Sequence, residues 1–325
     1  MHRIALSGVA VLAALLVPFE ARTTSVGGAA HDRAAADGAA HGATIRPVPS
    51  EIRLPVETRS TTPVPGAVSE TGALAVDAAL TQAGLTVDAV REGDSLVPRV
   101  YVAAMPRDMA EIGQAADRKR IFIKVMLPLV LDANERILAD RARLLHLKDR
   151  VDMGRVPSAE EQAWIDELAA LYYVDDGDLH ELARRVDAIP ASLALAQSAL
   201  ESGWGTSRFV HEGNAVFGQR SWNADDGIVP GARPPGETHV VKSFDGLKDS
   251  VFAYLVNLNR HPAYEHLRAM RVGLHARGET LDGWTLAGGL DEYAEAPGYV
   301  DLIRSVIRQN DLTDFDSARL ADLAI

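Results

Sequence analysis

From about Leu74 onward, apolar positions return at three- and four-residue steps, which predicts a mainly helical protein. A short extended piece, Arg99-Val-Tyr-Val-Ala-Ala-Met105, precedes Pro106. A long helical pattern then runs from Asp108 to about Val151, carried by Ile112, Ala115, Ala116, Lys119, Phe122, Ile123, Met126 and Leu127 and continued by Ile137, Leu138, Leu144, Leu145 and Leu147. Pro128 lies inside it and predicts a kink or a break. Ser158-Ala-Glu-Glu161 has the form of a capping box and opens a helix through Trp164, Leu168 and Leu171. Asp176-Gly177-Asp178 separates a further helix, Leu179 to Val186, and Pro190 occupies the first turn of the next one. The stretch from Ser221 to Val241 breaks the period. It is dense in Gly, Pro, Asn and Asp, is flanked by Val240-Val241, and reads as a loop or small β-hairpin lobe. The helical period returns at Leu247, Val251, Tyr254, Leu255 and Leu258, with two more helices expected near Thr280–Ala287 and Tyr299–Asn310. No internal repeat is visible.

The first 72 residues follow different rules. His2-Arg3 precede an apolar run from Ile4 to Val17, about the length of a signal-peptide core and short of the ~20 residues a membrane span needs. Residues 1–21 therefore read as an export signal, either cleaved or retained as an anchor that tethers the protein to the membrane. Residues 22–72, rich in Ala, Gly, Thr, Pro and Ser, read as a linker without a core-forming period. The 325-residue chain has 47% hydrophobic residues, ample for a core, and 45 Asp plus Glu against 33 Lys plus Arg, a net charge of −12. That balance disfavours nucleic acid and anionic lipid as partners. The absence of cysteine removes disulfides, thiolate metal sites and thiol nucleophiles.

One carboxylate stands out. The helix after Pro190 is expected to be amphipathic, with Leu193, Ala196 and Leu200 on one stripe and Glu201 beside it. Ser202-Gly203 ends this helix, with glycine as the C-terminal stop. A helix C-terminus disfavours an ionised carboxylate, and burial against Trp204 acts in the same direction. Both effects would keep Glu201 protonated near neutral pH, as a general acid for glycoside cleavage requires. A solvated Glu that merely ends a helix is the alternative reading of the same residues.

The run Ala196-Gln-Ser-Ala-Leu-Glu-Ser-Gly-Trp-Gly-Thr-Ser-Arg-Phe209, followed by Glu212-Gly-Asn-Ala-Val-Phe-Gly218, resembles the signature of bacterial peptidoglycan β-N-acetylglucosaminidases, and in particular their Bax-type branch. The upstream stretch from Met105-Pro-Arg-Asp-Met-Ala to Asn134-Glu-Arg-Ile137 is similar to that branch. So are Lys242-Ser-Phe-Asp-Gly-Leu-Lys-Asp-Ser250, the segment Tyr254 to Tyr264, and Leu290-Asp-Glu-Tyr-Ala-Glu-Ala-Pro-Gly-Tyr299. The match spans roughly 98 to 316 in the family's order. The resemblance implies a mainly α, lysozyme-like α+β catalytic domain over 176–316, with a small β-hairpin lobe and an N-terminal helical extension over 73–175. It implies cleavage of the β-1,4 bond after N-acetylglucosamine in peptidoglycan glycan strands, in the periplasm or cell envelope. Glu201 falls on the family's catalytic acid and Tyr293 on its active-site tyrosine. The second carboxylate would come from the lobe, with Glu237 favoured over Asp225 and Asp226, unless the substrate's own acetamido group replaces it.

Trp204, Phe217, Trp222 and Tyr264 are candidates for lining a sugar cleft, although core packing competes for each. Trp222 is the best placed of them, because it opens a loop. Asn214 is expected to stiffen the cleft wall by bonding backbone. Tyr299 and Trp284 read as core residues. His261 and His266 lack the surroundings of a zinc site, and there is no His-Glu-x-x-His, nucleotide or dinucleotide loop, so neither a catalytic metal nor a cofactor is expected. Two rivals share the pattern: a lytic transglycosylase of the same fold, and a non-catalytic peptidoglycan-binding protein.

Overall fold

The architecture comes from a computed structural model, which describes residues 62–63, 72–231, 236, 238–290 and 298–322. Residues 1–21, Glu237 and Tyr293, all singled out above, lie outside that set. Within the stretch read as linker, β1 (Thr62–Pro63) pairs in parallel with β2 (Val100–Tyr101). After β1 come α1 (Ala73–Gln82) and α2 (Val87–Arg91).

The longest element is α3, Ala115–Asp152, 38 residues without interruption. The break expected at Pro128 is absent. Every residue from Ile121 to Val130 is buried, and α3 packs against several other helices. Packing on this scale outweighs the ~3 kcal/mol that an internal proline costs a helix. Beyond Val130 the burial narrows to a stripe through Ile137, Leu144 and Leu147. Then α4 (Ala159–Tyr172) opens on the expected capping box. The Glu161 amide donates to Ser158 Oγ at 3.2 Å, and the Ser158 amide donates to Glu161 Oε2 at 2.8 Å. Next, α5 (Leu179–Arg185) is capped by Asp178, which accepts from the His180 and Glu181 amides.

The next helix, α6 (Ala191–Ser202), departs from expectation. It is not amphipathic: every residue from Ala191 to Ala199 is buried. Its alanines and serines let other elements close on all sides. A Cβ added at Gly283 would lie 2.1 Å from Ser192 Oγ and 2.5 Å from the Leu193 amide, so backbone presses directly on the helix there. α6 is packed by α3, by α10 (Gly283–Leu286), by α11 (Tyr299–Gln309) and by the 3-10 turn Leu312–Phe315. A helix buried on every face sits at the centre of a core.

Between α6 and α10 lie α7 (Arg208–Gly213), a small sheet, α8 (Leu247–Arg260), the turn Pro262–Tyr264 and α9 (Glu265–Ala276). The sheet is the expected lobe. It consists of β3 (Arg220–Ser221), β4 (Gly227–Ile228) and β5 (Val240–Lys242), antiparallel, with β5 in the middle. Gly227 is required there, because a Cβ would fall 1.9 Å from the Val241 carbonyl oxygen. Trp284, expected in the core, is 44% exposed. Its neighbours Gly283 and Leu286 are buried, while Trp284 lies beneath the Arg304 guanidinium at 4.6 Å. The fold is mainly α with one three-stranded antiparallel sheet, the lysozyme-like class expected. No helix among the described residues is long and apolar enough to cross a membrane.

Candidate active site

The start of α6 is held by side chains from distant elements. Asn134 of α3 donates from Nδ2 to the Ile189 carbonyl at 2.7 Å and accepts from the Ile189 amide at 3.0 Å. Asp316, just past the last 3-10 turn, accepts from the Ser192 amide at 2.8 Å, from Ser192 Oγ at 2.7 Å and from the Gly283 amide at 3.1 Å. In effect a carboxylate far along the chain caps this helix, where unpaired amides and partial positive charge favour it. The buried Arg271 of α9 donates to the carbonyls of Arg184, Arg185, Asp187 and Ala188. The connection from α5 to α6 is thereby fixed.

The end of α6 carries Glu201. Gly203 stops the helix in the left-handed region at φ 59°, as expected, and Trp204 follows there at φ 58°. A left-handed tryptophan is strained. Its ring is held edge-on to Phe122 of α3, centroids 5.5 Å apart, with the Lys119 ammonium 5.0 Å from the ring centre. Gly205 is left-handed at φ 81°, where glycine is favoured, and a Cβ there would press on Met105 Sδ at 2.9 Å and Phe122 Cδ2 at 3.2 Å. The turn after the acid is thus clamped against α3.

Glu201 is half-buried. Its Oε1 accepts from the Tyr299 hydroxyl at 2.8 Å. A Cβ added at Gly218 would lie 3.9 Å from its Oε2. Burial pushes the Glu201 carboxyl up to about 8, against the pull of the Tyr299 hydrogen bond, which favours the charged form. The carboxyl is mostly protonated at pH 7. Behind Tyr299 lies a chain of hydroxyl and amide groups. Gln197 Nε2 donates to the Tyr299 oxygen at 3.1 Å, and the Tyr254 hydroxyl donates to Gln197 Oε1.

The other candidates separate into groups. Phe217 is 1% exposed and stacks on Tyr254, centroids 3.7 Å apart and planes within 2°, so this ring packs in the core with one face covered. Tyr264 is buried as well, and burial raises its hydroxyl pKa. Asn214, left-handed at φ 51°, donates from Nδ2 to the Phe244 carbonyl at 3.0 Å, tying the Asn-Ala-Val-Phe-Gly turn to the segment that leads into α8. Trp222 is 57% exposed, on the lobe just after β3. Asp225 is exposed. Asp226 accepts on Oδ2 from Ser221 Oγ and on Oδ1 from Asn223 Nδ2, both at 2.8 Å. It braces the lobe, with both oxygens engaged there. Among the described residues no group of three His, Asp or Glu side chains converges to hold a metal ion.

Two residues of this site escaped the sequence reading. Tyr299 is buried at the start of α11, as a core residue would be, yet its hydroxyl is what touches the acid. The signal available was a tyrosine, whose polar end needs a partner when buried. Gln197 is the polar exception among the Ala, Leu and Ser of α6, one helical turn before Glu201.

A buried helix that ends on a carboxyl raised by burial, with a small β lobe following it, is the arrangement of the lysozyme-like fold class. Comparison with known proteins gives the family. Residues 177–312 match the glucosaminidase family model, described as mannosyl-glycoprotein endo-beta-N-acetylglucosaminidase. Protein bax of Escherichia coli (strain K12) is 30% identical over 193 residues, which cover 58% of this chain and 67% of that protein. No solved structure matches the chain. The chain belongs to the bacterial peptidoglycan glucosaminidase family, near its Bax-type branch.

Proposed function

We propose that this protein is an endo-β-N-acetylglucosaminidase that hydrolyses the β-1,4 bond after N-acetylglucosamine in peptidoglycan glycan strands, with Glu201 as general acid. The observation that carries the reading is the carboxyl at the end of α6, half-buried and pushed up to about 8. At neutral pH it holds the proton that a departing sugar oxygen needs. Trp222, the exposed aromatic of the lobe, offers a face on which a pyranose ring stacks. Tyr293, which opens the Tyr-Ala-x-x-Pro-x-Tyr stretch that Tyr299 closes, is proposed to position substrate or water. Of the lobe carboxylates, Asp226 is occupied in bracing its own turn; Glu237 is the favoured second carboxylate, Asp225 its alternative, and substrate assistance the route without one. Peptidoglycan as substrate supports a location in the periplasm or envelope, and the segment at 1–21 is the proposed export signal.

Purified cell-wall sacculi, digested with wild-type protein and with Glu201→Gln, test the assignment. The wild type is expected to clear turbidity and release fragments with a reducing N-acetylglucosamine end, the products of each cut together one water heavier than the strand. Glu201→Gln is expected to release them on the order of a thousandfold more slowly. Anhydro ends would make the protein a lytic transglycosylase. Equal activity of the two proteins would remove Glu201 from the mechanism, and inactivity of both would favour a binding role.

A further inference from the structure

The hydrogen bonds behind Glu201 have a direction that its role as acid does not by itself require. The starting point is Tyr254, fully buried in α8 and stacked on Phe217. Its hydroxyl donates to Gln197 Oε1. An amide whose oxygen is taken turns its nitrogen the other way. Accordingly, Gln197 Nε2, also fully buried, donates to the oxygen of Tyr299 at 3.1 Å. With that oxygen accepting, the Tyr299 hydrogen is left to donate, and it goes to Glu201 Oε1 at 2.8 Å. Each group is aimed by the one behind it, and the last arrow ends on a single oxygen of the acid.

We propose that Tyr299, aimed by Gln197 and Tyr254, is a positioning residue that reserves Oε1 of Glu201 as an acceptor and so keeps the transferable proton on Oε2, the oxygen beside Gly218. This inference rests on the reading of Glu201 as general acid. A carboxyl free to carry its proton on either oxygen would hold it in the productive place only part of the time. Here Oε1 is committed whether the group is charged or neutral. Gly218, left-handed at φ 60°, faces the Oε2 side, where even an added Cβ would stand off at 3.9 Å. The described groups that act electrostatically on one another around Glu201 are hydroxyls: Tyr299 of α11, Tyr254 of α8 and Tyr264 of the 262–264 turn. Burial raises the pKa of all three, so they stay neutral where Glu201 titrates. The donor from Tyr299 also tempers the acid, since it stabilises the charge left after proton transfer.

Carbon-13 NMR of the Glu side-chain carboxyls of the full chain, with the Glu201 signal assigned by its loss in Glu201→Gln, reads the chain without reference to activity. Tyr299→Phe is expected to move the Glu201 titration upward by about one pH unit and to lower the rate of sacculus cleavage at least tenfold, with the alkaline limb of the pH–rate profile moving the same way. Tyr254→Phe frees the Gln197 amide to turn, and is expected to give a smaller shift in the same direction. It serves as the reporter if Tyr299→Phe does not fold. A purely structural role for Tyr299 would lower activity or stability and leave the titration in place. An unchanged Glu201 titration in a folded variant overturns the proposal. Wild-type protein that titrates high at Glu201 but leaves sacculi intact overturns the general-acid reading instead, and with it this use of the chain.

Discussion

At the start of α6, Asp316 holds a carboxylate against backbone amides; at its end, Glu201 holds a carboxyl against a single hydroxyl. Both are half-buried, and burial raises both, Asp316 to about 6 and Glu201 to about 8. The difference lies in what their oxygens do. Asp316 accepts three hydrogen bonds shared over both oxygens, from Ser192 and Gly283, and these pull its pKa back down against burial and the nearby Asp282 charge. Glu201 accepts one, on Oε1, among the described residues. The helix dipole sharpens the contrast, since it favours a charge at the first end and disfavours one at the second. A carboxyl with both oxygens engaged is fastened. One with an oxygen to spare and its proton retained has something to donate.

The largest effects follow from removing each carboxyl. Glu201→Gln keeps an oxygen to accept from Tyr299 and removes the acid. Cleavage of sacculi is expected to fall on the order of a thousandfold, while circular dichroism and the melting temperature stay at or above those of the wild type. Asp316→Ala is expected to do the reverse. It leaves the Ser192 amide unpaired in a packed interior and the Gly283 amide with Ser192 Oγ as its acceptor, costing about 3 kcal/mol, or roughly 6–10 °C in melting temperature for a domain of this size. Activity measured below the transition should fall by less than tenfold. A variant at Asp316 that melted like wild type but lost all activity would dissolve the distinction between the two ends.

The next effect is a pH dependence. A carboxyl whose folded pKa lies above its unfolded one holds its proton more tightly in the fold. Its contribution to stability is fully present below the unfolded value and is lost as pH rises through the folded value. For Glu201 that window runs from 4.5 to about 8. Wild type should therefore lose stability relative to Glu201→Gln across this range, on the order of 5 kcal/mol at most by its upper end, and the gap should be flat above it. Denaturant titrations at pH 4, 6 and 8.5 measure the gap. A constant difference would mean that Glu201 titrates normally. Asp316 titrates in the same direction over a narrower range, from 3.8 to about 6, but it does so equally in both proteins and cancels in the comparison.

What was legible in the sequence divides along the same line. The carboxyl of Glu201 at a helix end, the glycine that stops that helix, the capping box at Ser158 and the turn-rich lobe are local signals, each read within a few residues of itself. The groups that give the two carboxyls their opposite characters are not local. Tyr299 reaches Glu201 across 98 residues, Gln197 reaches Tyr299 across 102 and Asp316 reaches Ser192 across 124. Nothing in the periodicity of any one segment encodes such pairings. The all-round burial of α6 was hidden for a related reason. Alanine and serine give a weak hydrophobic pattern, and their burial depends on a glycine of α10 approaching from elsewhere. At Pro128 the local rule was read correctly and lost to packing, because the ten residues around it are buried on every face. Trp284 shows the converse, an aromatic in a helical pattern that the short α10 turns toward Arg304 rather than inward.

The smallest expected effect concerns the lobe, where the contrast is between aromatic rings that pack and one that does not. Phe217 is covered by Tyr254, and Trp204 is clamped by Phe122 and Lys119. Trp222 is 57% exposed, so its removal costs the fold little. Trp222→Ala is expected to change stability by no more than about 0.5 kcal/mol. If its ring stacks on a sugar, losing a contact of about 1 kcal/mol weakens binding roughly fivefold. That loss should appear in KM for soluble glycan fragments, or in retention on sacculi by Glu201→Gln, with kcat nearly unchanged. Phe217→Ala should show the opposite pattern, a destabilisation of about 3 kcal/mol with kcat affected through Tyr254. Retention of Glu201→Gln/Trp222→Ala on sacculi equal to that of Glu201→Gln alone would take the outer face of the lobe out of the binding groove, and would leave the end of α6 to recognise the strand without it.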